Sequence, residues 1–133
     1  MVDQSVTIYI DYKSPYAYLA VEPTWTLARD YDVTLKWFPY TLDIPDFLGS
    51  AKVDNQGKVL EATRSPHQWR RVRYSYMDVR RYANLRGLTV RGPQKIWDSS
   101  LAAIGLLYAQ KQGKFRDYND KVYELFWRRE LDI

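Results

Sequence analysis

The chain opens on a period-two pattern. From Val6 to Tyr12, Val6, Ile8 and Ile10 alternate with Thr7, Tyr9 and Asp11, which predicts a strand with one apolar face. Ser14-Pro15 follows. Serine is a preferred N-cap and proline suits the first helical position, so a helix should start here. It should run to about Tyr31, with a kink near Pro23. Val33–Phe38 alternates again, with Val33, Leu35 and Trp37 on one face. Strand, helix and strand at this spacing predict a βαβ unit with parallel strands. Residues 39–65 contain Pro39, Pro45, Gly49 and Gly57, which predicts an irregular connection with a turn at Asp54-Asn55-Gln56-Gly57.

The second half changes period. Trp69, Val72, Tyr76, Val79 and Ala83 form one apolar stripe, read as core, on a helix from Pro66 to about Arg86, with Gly87 as its stop. Asp98, Ser99 or Ser100 caps a further helix bearing Leu101, Ile104 and Leu107/Tyr108, which ends near Gly113. A last helix carries Phe115, Tyr118, Val122 and Leu125/Phe126. Two strands against about four helices is an unusual inventory, because a two-stranded parallel sheet is rarely stable alone. The chain therefore reads as an α/β domain with an incomplete sheet.

Composition narrows the chemistry. The 133 residues suffice for one domain, and 46% apolar with 27% charged is an ordinary globular balance. No apolar run reaches the roughly 20 residues of a membrane span. The N-terminus lacks a basic region followed by an apolar stretch, so a cytoplasmic location without membrane attachment is expected. The chain has no cysteine, which excludes disulfides, thiolate metal sites and chemistry at a protein thiol. The single histidine, His67, would have to serve any imidazole base, and at a helix start it reads more simply as a surface or packing residue. Asp43, Asp46 and Asp54 are scattered in a loop and make no metal site.

The net charge of +4 is unevenly placed. Residues 64–91 hold eight arginines against one acid, Asp78. Such a segment attracts phosphate, carboxylate or an acidic partner. Arginine and tyrosine interleave here, as they do on nucleic-acid surfaces, but no nucleic-acid motif accompanies them and no such partner is expected. Twelve Tyr, five Trp and four Phe supply rings both for a core and for a planar ligand.

The turn Asp11-Tyr12-Lys13-Ser14-Pro15-Tyr16 lies where a parallel strand hands over to a helix, the place where open α/β sheets bind ligands. Free N–H groups and the helix dipole favour an anion there. The Ser14 hydroxyl either donates to that anion or serves only as the helix cap.

The stretch Ile10-Asp11-Tyr12-Lys13-Ser14-Pro15-Tyr16-Ala17-Tyr18-Leu19-Ala20 resembles the opening of 2-hydroxychromene-2-carboxylate isomerases and kappa-class glutathione transferases. These form the glutathione-using branch of the DsbA-like thioredoxin superfamily. Leu35-Lys36-Trp37-Phe38-Pro39, Tyr76-Met77-Asp78-Val79-Arg80-Arg81-Tyr82-Ala83 with Gly87-Leu88, and Gln112-Gly113-Lys114-Phe115 leading to Phe126-Trp127 follow that pattern in order. The resemblance implies a thioredoxin-like fold with an all-helical insertion. Residues 1–44 would be the N-terminal βαβ part, 45–127 the insertion, and 128–133 the start of the return. The family pattern continues past the position of Ile133 with more strands and a cis-proline loop.

The resemblance also implies a cofactor and a reaction. Glutathione would bind at Ser14, Pro15 and Tyr16, with Ser14 donating to its sulfur and favouring the thiolate. That nucleophile would add to a conjugated double bond of a small aromatic carboxylate, allow rotation and leave again. Conjugation of the kappa type, or a non-catalytic binding module that keeps part of the fold, are the alternatives. Arg70, Arg71 and Arg73 stand where the family carries a lysine on this helix. By charge and position alone, Tyr12 and Tyr16 would wall the substrate, and arginines of 64–91, Arg71 and Arg73 among them, would hold its carboxylate. A homodimer is implied as well.

Overall fold

The computed structural model describes residues 4–133. Strand β1 (Ser5–Ile10) pairs in parallel with β2 (Thr34–Pro39), from Ser5 opposite Thr34 to Ile10 opposite Pro39. Helix α1 (Pro15–Tyr31) makes the crossover, so the βαβ unit forms as the alternation predicts. Ile8 and Ile10 turn inward while Tyr9 stands in solvent. The strand ends two residues before Tyr12. Asp11, Tyr12 and Lys13 instead form a buried turn, closed by Ser14 N–H donating to the Asp11 carbonyl at 3.0 Å.

Ser14 caps α1, its Oγ accepting from Ala17 N–H at 3.2 Å, and Pro15 takes the first helical position. The helix continues through Pro23 without a break. Pro23 has no N–H to give the Leu19 carbonyl four residues back. Arg86 supplies the missing donor, its Nη1 reaching Leu19 O at 2.5 Å.

Residues 39–65 are more ordered than their composition suggests. A short helix α2 (Ile44–Leu48) and an antiparallel hairpin, β3 (Ala51–Val53) with β4 (Val59–Ala62), occupy them. The region from 45 to 127 is therefore not all helical. The expected turn is the hairpin's loop: Asp54 Oδ1 accepts from the Gln56 and Lys58 N–H groups, and Gly57 adopts φ +83°. Every residue of β4 is exposed, so no burial alternation marks it.

Helix α3 (Pro66–Leu85) begins at a capping box between Ser65 and Gln68 and stops at Gly87, φ +69°. Only Val79 and Ala83 of its predicted stripe are fully buried. Helices α4 (Ser100–Lys111) and α5 (Phe115–Trp127) complete the order. Of α4 the predicted apolar face is outside: Leu101 is 75% and Ile104 64% exposed, and Ala102, Leu106 and Ala109 are buried instead. The cause is close approach. A Cβ on Gly105 would stand 2.2 Å from Tyr118 Oη, and that hydroxyl donates to Ala102 O at 2.8 Å. A seam of small residues lets α4 lie tightly on α5, and this outweighs burial of the larger side chains.

Helix α5 is the centre of the core, with Val122, Tyr123, Phe126 and Trp127 buried. Tyr18 stacks on Tyr123 at 5.2 Å, Tyr12 meets Tyr123 edge-on at 4.8 Å, and Trp25, Trp37 and Phe115 form a second ring cluster. Rings of this size each bury enough apolar surface to contribute several kcal/mol, roughly 3–5 on truncation to alanine.

Candidate functional site

A cavity of about 600 Å³ opens between the start of α1, the hairpin, α3 and the segment 92–97. Ser14, Pro15 and Tyr16 line it, as do Arg71 and Arg73. The structure thus brings together five of the six residues singled out in the sequence. Tyr12 is the exception. It lies 2% exposed among Tyr118 and Tyr123, away from the cavity, and so is a core residue rather than a substrate wall. The reason is the buried turn after Ile10, which swings Tyr12 inward. His67 is exposed and outside the cavity lining.

At the α1 end the donors are specific. Ser14 Oγ accepts from Ala17 N–H, so its own hydrogen remains to be given outward. Pro15 has no N–H, and among the described residues the Tyr16 N–H has no partner. The Ser14 hydroxyl and this N–H, at a helix N-terminus, are two donors for one anionic atom. The Tyr16 hydroxyl donates to Asp78 Oδ2 at 2.8 Å, and burial followed by this bond raises its pKa. Tyr16 therefore keeps its proton and is held against α3.

Lys13 is the residue the sequence reading missed. It is 5% exposed, lines the cavity, and its Nζ contacts Asp11 Oδ2 at 3.2 Å and Ser99 Oγ at 3.3 Å. Asp11 is itself fixed by Leu42 N–H at 2.7 Å and Lys13 N–H at 3.2 Å. Ser99 sits at the N-cap of α4 yet its side chain makes no cap bond, and its Oγ accepts from Lys13 instead. The opposite charges two residues apart, just after an apolar strand, are the trace of this pair in the sequence.

Seven cations line the cavity: Lys13, Arg64, Arg71, Arg73, Arg80, Lys95 and Arg129. No aspartate or glutamate joins them among the described residues. Rings alternate with the charges. Arg64 lies 5.1 Å and Arg73 5.9 Å from the Trp69 ring, and Lys95 Nζ stands 4.1 Å over Trp97. Trp69, Val72 and Tyr76, the outer part of the stripe expected to be core, are cavity wall instead. The i, i+4 spacing of Trp69 with Arg73 and of Tyr76 with Arg80 was the signal for this lining. The arrangement suits a planar anion, walled by rings and held at its charged ends.

A model of the DSBA-like thioredoxin domain matches residues 5–133. The chain belongs to this family. Ser14 stands at the strand-to-helix turn of the βαβ unit that opens the matched region. No curated protein matches the chain. Within the DSBA-like family, which includes oxidoreductases, isomerases and glutathione transferases, a chain with no cysteine carries no redox dithiol. The donor set at the α1 turn suits an anionic atom, with two N–H or O–H donors for it and surrounding cations for a ligand of net negative charge. No helix among the described residues is long and apolar enough to cross a membrane.

Proposed function

We propose that the chain binds glutathione at the Ser14 turn and isomerises a conjugated double bond of a small aromatic carboxylate, in the manner of 2-hydroxychromene-2-carboxylate isomerases. One observation carries this reading. In a chain without cysteine, the Ser14 hydroxyl hydrogen and the Tyr16 N–H are left free, among the described residues, at a helix N-terminus that faces a cavity to which these residues bring seven cations and no carboxylate. Bound glutathione would supply the soft nucleophile that the protein lacks.

The chain's own residues do the rest. Ser14 donates to the sulfur and the α1 N-terminus favours its anionic form. Lys13 adds a fixed positive charge beside that turn, braced by Asp11 and Ser99. Tyr16, anchored to Asp78, walls the site and keeps its proton. Arg71 and Arg73 hold the substrate carboxylate, and Trp69 offers a face to its ring.

A kappa-type transferase would share the thiolate site and differ in its second ligand; a cavity rich in guanidinium groups favours the carboxylate substrate. A binding module would keep the cavity and give no thiolate. Ultraviolet absorbance of the thiolate during a glutathione titration, with Ser14→Ala alongside, separates a binding module from the two enzyme readings, and assay of double-bond isomerisation against glutathione conjugation separates those two.

A further inference from the structure

Three arginines on one side of the cavity share an arrangement that the substrate carboxylate alone does not explain. Each has its Nε bound to a backbone carbonyl: Arg64 to Leu48 O at 3.0 Å, Arg80 to Val90 O at 3.3 Å, and Arg129 to Gly92 O, to which its Nη2 also donates, leaving its Nη1 free among the described residues. A guanidinium held by Nε is fixed in direction and still presents terminal N–H groups. None of the three has an acidic partner among the described residues.

All three line the cavity together with Tyr76. Arg80 lies 5.7 Å over its ring, and all three act electrostatically on its hydroxyl, partly offsetting the burial that pushes it up to about 12. Arg80 Nη2 is also 3.8 Å from where a Cβ on Gly92 would stand, and the Gly92 carbonyl is the one that holds Arg129. The Tyr76 hydroxyl makes no hydrogen bond among the described residues. Burial lowers the Arg64 pKa from its usual value, the mark of a cation short of water and without a counter-ion. Three oriented cations and a free phenolic O–H thus line one cavity with no carboxylate among the described residues.

We propose that Arg64, Arg80 and Arg129, with the Tyr76 hydroxyl, form a second anion subsite that takes a doubly charged oxyanion group, either a phosphate ester or a pair of neighbouring carboxylates. A single carboxylate would leave two of three guanidinium charges unbalanced in a partly closed cavity, where uncompensated charge is costly. A dianion offers enough oxygens for bidentate contact with more than one arginine. That this group is part of the isomerase substrate rests on the reading above; the subsite itself stands on the arginine geometry.

The test is calorimetric titration of the whole chain with phenyl phosphate, phthalate and benzoate. Variants Arg80→Gln and Arg129→Gln are measured alongside, and Arg116→Gln, whose guanidinium lies over Trp25 outside the cavity, is the control. At least one dianion should bind about tenfold more tightly than benzoate, and each cavity variant should lose about tenfold while Arg116→Gln stays at the wild-type level. The tighter of the two dianions tells phosphate from dicarboxylate. Circular-dichroism melts confirm folding, and Arg80→Lys, which keeps the charge but not the fork, should fall between. Benzoate binding as tightly as both dianions, no anion binding, or full affinity in Arg80→Gln and Arg129→Gln would each overturn the subsite. Glutathione is absent from these titrations. Arginine-dependent phosphate binding in a chain that gives no glutathione thiolate would refute the isomerase reading and leave the subsite standing.

Discussion

The Lys13 ammonium donates to the Ser99 hydroxyl at 3.3 Å, across 86 residues of chain. This contact, with the Asp11 pair behind it, ties the Ser14 turn to the start of α4. Removing one member of a buried pair leaves the other charge unpaired, at roughly 3–5 kcal/mol. Lys13→Met should therefore lower the unfolding free energy by about 3 kcal/mol, read by denaturant titration. Adding Asp11→Asn to it should cost less than the two single changes together. Strict additivity would show that the pair is not coupled.

Pro23 and Arg86 form a second coupled pair, because Arg86 bonds the Leu19 carbonyl that Pro23 leaves without a donor. Arg86→Ala should cost about 1–2 kcal/mol in the natural background. In Pro23→Ala, where residue 23 regains its N–H, the same change should cost clearly less. An equal cost in both backgrounds would contradict this role for Arg86.

Tyr12 gives a prediction opposite to its sequence reading. Its hydroxyl is buried without a partner among the described residues. Deleting an unsatisfied buried hydroxyl is neutral or stabilising. Tyr12→Phe should match or exceed the natural chain in Tm and leave glutathione binding unchanged. A loss of glutathione affinity would return Tyr12 to the site.

Burial raises the pKa of Tyr12, Tyr76 and Tyr123, Tyr76 to about 12. In the unfolded chain these phenols release their protons near the ordinary value of 10.0, whereas the fold retains them. The retained protons contribute stability in full below pH 10, and this is lost as pH rises towards 12 and beyond. Stability should be level through neutral pH and fall above pH 10. Tyrosinate absorbance should then rise in a late phase that coincides with loss of the circular-dichroism signal. Titration of every tyrosine near pH 10 with the fold intact would contradict the burial.

The βαβ unit, the Ser14 cap and α3 were legible because local rules and tertiary packing agree there. Alternation, Ser-Pro and a 3.6-residue stripe each point to the element that forms. The hairpin 51–62 was not legible, since strands of three and four residues with an exposed β4 leave no period to detect. The face of α4 was misread because Gly105 and its small neighbours decide the packing, and a hydrophobicity pattern rewards Leu101 and Ile104 instead. At the site, the arginine-rich segment announced an anion. Which arginines are fixed at the cavity depends on carbonyls at Leu48, Val90 and Gly92, and these meet Arg64, Arg80 and Arg129 only in three dimensions.

The measurement that bears most directly on the function is thiolate absorbance at neutral pH during a glutathione titration of the natural chain and of Ser14→Ala. Loss of one hydrogen bond to a charged acceptor, about 1.5–3 kcal/mol, corresponds to one to two units of thiol pKa. A thiolate signal should grow with glutathione in the natural chain and fall about tenfold or more in the variant, with both proteins folded. An equal signal in the two, or none in the natural chain, would contradict a glutathione site at the Ser14 turn.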